Sequence, residues 1–156
     1  MKRIGIALGD ITGIGPEVTL KALAQLNEHE TSRYLLIGDW DHLVALSESL
    51  GTRLPLEKES SANPDARFLV ANPLTEPLPH DLQPGAAPAA RAAVAWLREA
   101  ARRCLDGELG AMVTAPVNKE AIIRAGDSTF VGQTELLSEL AGTDQTAMML
   151  LGSDDR

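Results

Sequence analysis

Apolar runs alternate with stretches of helical spacing along this chain. Residues 3–8, RIGIAL, form a continuous apolar run that predicts a first strand. PEVTLKALAQLNEH (16–29) predicts a helix with Val18, Ala22, Leu23 and Leu26 on one side. RYLLIGD (33–39) predicts a second strand, apolar on both faces. A second helix follows over 39–51, with Asp39 as N-cap and Gly51 as its stop. RFLVA (67–71) and GAMVTAP (110–116) predict a third and a fourth strand, separated by a long helix near 86–106. Two short helices are expected at 117–126 and 132–142, each ended by Gly, and a fifth strand at 146–152. Strands that are apolar throughout, alternating with helices, mark an α/β protein with a parallel sheet covered on both faces.

Residues 72–88 interrupt that rhythm. They hold five of the nine prolines, a density that no regular element survives. The segment reads either as a lid or dimer arm or as a plain crossover loop. There is no internal repeat. The final apolar run halts where a domain of this class continues into another crossover, so the 156 residues read as a fragment.

Composition narrows the function. Apolar residues make up 44% and charged residues 23%, which fits a soluble globular chain. No window approaches the roughly 18 continuous apolar residues of a membrane span. The first strand is too short for a signal segment and meets an Asp, so a cytoplasmic location is expected. The net charge of −8 argues against nucleic acid as a partner. Cys104 is the single cysteine, at helical spacing from Val94, Leu97 and Ala101, and reads as a buried structural thiol.

Candidate chemistry gathers at three Gly-flanked turns. GDITGIGPE (9–17) joins the first strand to the first helix. Glycines there let a ligand approach backbone N–H groups, Pro16 suits the first helical turn, and Glu17 suits the positive helix end. Gly9, Gly13 and Gly15 lie at offsets 0, 4 and 6, so this is not the dinucleotide pattern of 0, 2 and 5, and no P-loop lysine follows. The stretch reads as a tight turn and cap or as a ligand cradle. Asp10, at the C-terminal end of a parallel strand, tilts it towards the cradle. TAPVNKEAI (114–122) places Thr114, Asn118 and Lys119 at the same end of the sheet. Lys119 there either meets an anion or stays solvated. FVGQTELLSEL (130–140) adds Gln133, Thr134 and Glu135, with Thr134 as a helix cap or a ligand contact.

In this order and spacing, GDITGIGPE, VTAPVNKEAI and FVGQTELLSELAG resemble the N-terminal half of the 4-hydroxythreonine-4-phosphate dehydrogenase family, and the resemblance covers essentially the whole chain. It implies an isocitrate/isopropylmalate-dehydrogenase-like α/β fold with two lobes around a cleft, of which residues 1–156 are the N-terminal portion. It also implies a homodimer. The family oxidises 4-phosphooxy-L-threonine with NAD to a 3-oxo acid. That acid loses CO2 to give 3-amino-2-oxopropyl phosphate for pyridoxal phosphate (vitamin B6) biosynthesis. A divalent metal (Zn, Mg or Co) acts there as Lewis acid.

The family's Gly-His-Thr-Glu motif corresponds to GQTE here, so Gln133 and Thr134 are the implied substrate contacts. Asp10, Thr114, Asn118 and Lys119 are candidate cleft-lining residues. Gln133 departs from the usual His: it can donate a hydrogen bond but cannot take a proton. That keeps a related substrate open, either another phosphorylated hydroxy acid or a cyclic dihydrodiol acid. The family's metal-binding histidines and main NAD contacts lie in its second half. His29, His42 and His80 show no ligand spacing and read as surface or structural residues, so no metal ligand and no catalytic acid or base is assigned in this chain.

Three readings follow. The chain is the N-terminal portion of that dehydrogenase, or of a relative with another substrate, or it is a non-catalytic binding module. Alone, the chain is expected to be inactive and to expose an apolar edge around Met148–Leu151 that favours association.

Overall fold

The computed structural model describes residues 2–26, 29–63 and 65–150. Its centre is a parallel five-stranded sheet. The strands are β1 (Arg3–Ala7), β2 (Tyr34–Ile37), β3 (Leu56–Lys58), β4 (Phe68–Ala71) and β5 (Leu109–Thr114), in the order β3-β4-β2-β1-β5. Every pairing is parallel, with Ala7 opposite both Ile37 and Thr114. The helices are α1 (Gly15–Ala24), α2 (Trp40–Leu50), α3 (Ala87–Leu105), α4 (Lys119–Arg124) and α5 (Gln133–Ala141).

The α/β reading is borne out, and the topology shows why the site lies where it does. From β1 the chain moves one way across the sheet through α1 to β2. From β4 it returns through α3 to β5, on the far side of β1. Right-handed crossovers in opposite directions put α1 and α2 on one face and α3 on the other. Accordingly α1 packs against α2, while α3 packs against β1, β5, α4 and α5. The direction reverses between β1 and β5, so the chain leaves their paired C-terminal ends towards opposite faces, at the kind of switch point where open α/β sheets bind ligands.

The core is apolar and closely packed. Leu8, Leu20, Leu35, Leu36, Ile37, Leu43, Trp96 and Leu97 are wholly buried, each Leu or Ile contributing roughly 2 kcal/mol through its burial. β2 and β4 are buried along their entire length, as continuous apolar strands in a covered sheet must be. α3 meets the sheet with Ala89, Ala90, Ala92, Ala93, Ala100 and Ala101, small side chains that let a strong helix former lie close to the strands.

Capping follows the sequence in part. The Asp39 carboxylate accepts from the His42 N–H at 3.0 Å, and Gly51 closes α2 in the left-handed region. Pro16 sits in the first turn of α1 as expected. The apolar face of α1 does not follow: Thr19, Leu20 and Leu23 are buried, whereas Val18 and Ala22 are exposed. Gly15 is seated so that a Cβ would fall 2.6 Å from Leu8 O, and Pro16 is buried next to it, so the inward side of α1 begins at these two residues. α1 also ends at Ala24, before the expected limit of 29; Asn27 and Glu28 lie outside the described residues.

Two strand expectations need correction. Residues 146–150 of the expected fifth strand join no strand among the described residues and are exposed, Met148 and Leu150 at 76% and 89%. Leu151 and Gly152 lie outside the described residues. An apolar run becomes a strand only where a ladder partner is within reach. The sheet's fifth member is instead β3, three residues of Leu-Glu-Lys at the opposite edge, too short and too polar to stand out. Cys104 is half-buried instead of fully buried, and that burial raises its thiol pKa.

A charge cluster fixes the end of α3. Glu99 accepts from Arg102 and Arg103 at 3.0 and 2.7 Å, and Arg103 also pairs with Glu59 in the 3-10 turn after β3. Hydrogen bonding from Arg102, then from Arg103, holds the Glu99 carboxyl down at about 2, against an ordinary 4.5. A depressed carboxyl stabilises the fold above its unfolded pKa and loses that contribution as pH falls to its folded one. Glu99→Gln is therefore expected to lower stability by roughly 1 kcal/mol at neutral pH. In urea unfolding at a series of pH values, the gap to wild type should close between 4.5 and about 2.

Candidate functional site

The loop after β1 and the loop after β5 are joined by backbone. Asp10 N–H donates to Pro116 O at 3.0 Å, and Ala115 N–H donates to Ala7 O at 2.9 Å. Gly9 makes this possible. Its φ is +68°, and a Cβ there would fall 2.2 Å from Pro116 O. No other residue fits that position without moving the backbone.

Asp10 is buried, 5% exposed, and its carboxylate folds back on the loop. Oδ1 accepts from Thr12 N at 2.9 Å and from Thr12 Oγ1 at 2.7 Å, an Asx turn that holds the following backbone. Thr12 Oγ1 in turn accepts from Gly85 N at 3.3 Å. The end of the proline-rich segment is thus hydrogen-bonded to the Asp10 loop. Thr12 was not among the expected residues; the two-residue Asp-x-Thr spacing is the signal that reveals it.

The same segment is tied down at its start. Asp39 is 3% exposed, and its Oδ2 accepts from Leu78 N at 3.2 Å and Asn72 Nδ2 at 3.4 Å. Asn72 Oδ1 accepts from Trp96 Nε1 at 3.1 Å and Leu74 N at 3.1 Å. Residues 72–86 therefore form a strap fastened across the strand ends. Both anchors follow directly on β2 and β4, where an Asp or Asn after an apolar run is the visible sign.

Around the loops lies an open depression of about 460 Å³ lined by Asp10, Gly13, Ile14, Pro116, Val117, Asn118, Lys119 and Glu120. It brings Asp10, Asn118 and Lys119 together, as the sequence suggested. Asn118 also serves as N-cap of α4, its Oδ1 accepting from Ala121 N at 3.0 Å. Lys119 is exposed in the first turn of α4. A larger hollow, about 510 Å³ between α2 and the β3 edge, contains none of the expected site residues; Ser47, Glu48 and Arg53 are the polar side chains in its lining.

Thr114 and Gln133 form a second group beside the first. Thr114 Oγ1 lies 2.7 Å from Gln133 Oε1, and Gln133 Nε2 donates to Ala115 O at 3.0 Å. Thr134 occupies the first turn of α5, exposed. It does not cap that helix, because Gly132 is the N-cap residue.

His42 hydrogen-bonds the backbone of Ile11. Burial is the main cause that lowers its pKa, and nearby His80 adds to it, against the opposing charge of Asp39. His29 and His80 are exposed. Among the described residues, no three or more His, Cys, Asp or Glu side chains are grouped so that they could hold a metal ion.

The family model for the pyridoxal phosphate biosynthetic protein PdxA matches residues 30–155. The chain belongs to the PdxA family. Among PdxA relatives it is 38% identical to a 4-hydroxythreonine-4-phosphate dehydrogenase of Geobacter metallireducens, over 96% of this chain and 45% of the relative. It is 37% identical to a D-threonate 4-phosphate dehydrogenase of Cupriavidus necator, over 95% of this chain and 45% of that one. The crystal structure of a 4-hydroxythreonine-4-phosphate dehydrogenase from Burkholderia phymatum superimposes with a TM-score of 0.81 at 32% identity, over 97% of this chain and 47% of that one. The chain thus spans about half the length of the relatives it matches, and its fold is that of an N-terminal PdxA portion.

If the Gly9 contact fixes the two loops, Gly9→Ala should destabilise the chain by about 2–4 kcal/mol, since the new Cβ meets backbone in a left-handed conformation. Gly13→Ala, whose Cβ would stay 3.4 Å from Asp10 O, should cost under about 1 kcal/mol. Urea unfolding of the two variants checks the contrast.

Proposed function

We propose that this chain forms one wall of the substrate cleft of an NAD-dependent dehydrogenase that oxidises 4-phosphooxy-L-threonine to a 3-oxo acid, which then decarboxylates to 3-amino-2-oxopropyl phosphate. The observation that carries the reading is the convergence of Asp10, Thr114, Asn118, Lys119 and Gln133 on the C-terminal ends of β1 and β5, in a chain of the PdxA family. Thr134 belongs with them by its place beside Gln133 on the first turn of α5.

Each side chain has a task its chemistry suits. Lys119 supplies a mobile cation for a phosphate or carboxylate. Gln133 and Thr134 supply neutral hydrogen-bonding groups for substrate oxygens. Asp10 holds the loop through Thr12 and sets the shape of the depression. The described residues do not fit a divalent metal. NAD, when bound, accepts the hydride from the secondary alcohol. The remaining parts of such an enzyme, including the homodimer, belong to the proposal and not to this chain's geometry. The 156-residue chain alone is expected to be inactive.

A second reading is favoured by one residue. Gln133 stands where the family motif usually has His, and a relative of nearly equal identity is named for D-threonate 4-phosphate. That substrate carries a hydroxyl where 4-phosphooxy-L-threonine carries an amino group.

The coding region should be read on from the Arg156 codon and the longest product assayed for NADH formation. We expect a protein of about twice this length that prefers 4-phosphooxy-L-threonine to D-threonate 4-phosphate by at least roughly tenfold in kcat/KM. The reverse preference establishes the second reading. No turnover of either substrate overturns the dehydrogenase reading.

A further inference from the structure

The pairing of Thr114 with Gln133 has a fixed polarity. Ala115 O is a backbone carbonyl and only accepts, so the group facing it must be the amide NH2 of Gln133. Gln133 Oε1 then faces Thr114, and the Thr114 hydroxyl must donate to it. Neither partner has a second orientation that keeps both bonds. Ala115 is itself immobile: 6% exposed, bonded to Ala7 O, and with its carbonyl lying 2.9 Å from where a Gly9 Cβ would be.

We infer that Thr114 is a positioning residue that locks the Gln133 amide in this one orientation. The pair then offers a ligand a neutral N–H donor on Nε2 beside oxygen acceptors on Thr114 Oγ1 and Gln133 Oε1. Such a pair suits a small acid that brings both an anionic oxygen and an amino or hydroxyl hydrogen. This rests on the reading of these strand ends as the substrate cleft.

A histidine at position 133 can copy the two bonds only as a neutral tautomer, one nitrogen donating and the other accepting. Once protonated it has two donors, and the Thr114 hydroxyl has to turn round and accept from it. Glutamine has no such transition. The link between β5 and α5 therefore keeps one polarity through the range in which histidine titrates, and the ligand meets no change of charge at this position.

The test uses the 156-residue chain, uniformly labelled with 15N, and reads the two Gln133 side-chain amide protons by NMR. In the free chain we expect two signals displaced from the free-glutamine positions, unchanged from about pH 5.5 to about pH 8. Thr114→Val should move them towards free-glutamine values while the backbone spectrum stays dispersed, and Thr114→Ser should restore them. Free-glutamine signals in the wild type, or signals unmoved by Thr114→Val, overturn the positioning role. If Thr114→Val does not fold, the wild-type signals and Thr114→Ser still decide it.

A titration of the longest product of the coding region with 4-phosphooxy-L-threonine then tests the consequence for the ligand. Perturbed Gln133 signals, with roughly tenfold weaker binding in Thr114→Val, support it. Equal binding by both proteins overturns it. No perturbation in the wild type counts against the cleft reading, while the ligand-free signals decide the role of Thr114 by themselves.

Discussion

Everything at the ligand-binding end of this fold depends on how closely two backbones approach. Gly9 meets the Ala115–Pro116 peptide with no room for a side chain, and the Asp10 N–H closes on Pro116 O. Because β1 and β5 send their chains in opposite directions, the loops after them would otherwise splay apart. The contact holds them together just beyond the sheet. It also aims the carbonyl of Ala115 at Gln133 and leaves Asp10 to organise Thr12. A side chain at Gly9 would therefore disturb three groups of residues that are distant in sequence.

The strap over residues 72–86 extends the same logic. A segment with this much proline has few backbone donors and cannot pair with a sheet. It is held instead at single points: Leu78 N by buried Asp39, Leu74 N by Asn72, and Gly85 N by Thr12. Asp39 and Asn72 are themselves fixed, one by capping α2 and the other by the indole of buried Trp96. A buried carboxylate with several donors is stable only while all of them stay in place. The strap and the strand ends thus form one polar network above an apolar core.

Much of this was legible because buried parallel strands are written as unbroken apolar runs. β1, β2, β4 and β5 were each expected within a residue or two of where they lie. The stop signals Gly51 and Gly142 and the Asp39 cap were equally plain, since their chemistry is local. What failed was what depends on partners. β3 owes its existence to the free edge of β4, and its Leu-Glu-Lys sequence announces nothing. The 146–150 run has a strand's composition and no ladder to join. Val18 and Leu20 look alike in the sequence, and the seating of Gly15 and Pro16 decides which of them is buried. At the site, the residue types were legible but not their bonds. Thr12 and the Thr114–Gln133 pairing appear only when loops remote in sequence are brought together.

The exposed apolar residues complete the picture. Ile14 lines the depression, Val18 follows one turn later, Val113 precedes Thr114, and Val131 lies two residues before Gln133; all are 45% exposed or more. Scattered singly, such residues need no explanation, but these flank the polar groups of the candidate site. A polar floor open to water binds small ligands weakly, because every hydrogen bond it offers is already made with solvent. The same floor beneath an apolar rim gains strength when a second surface closes over the rim and removes the water. On the proposed reading, Lys119 and the Thr114–Gln133 pair are the polar groups that such a closure would shield from water.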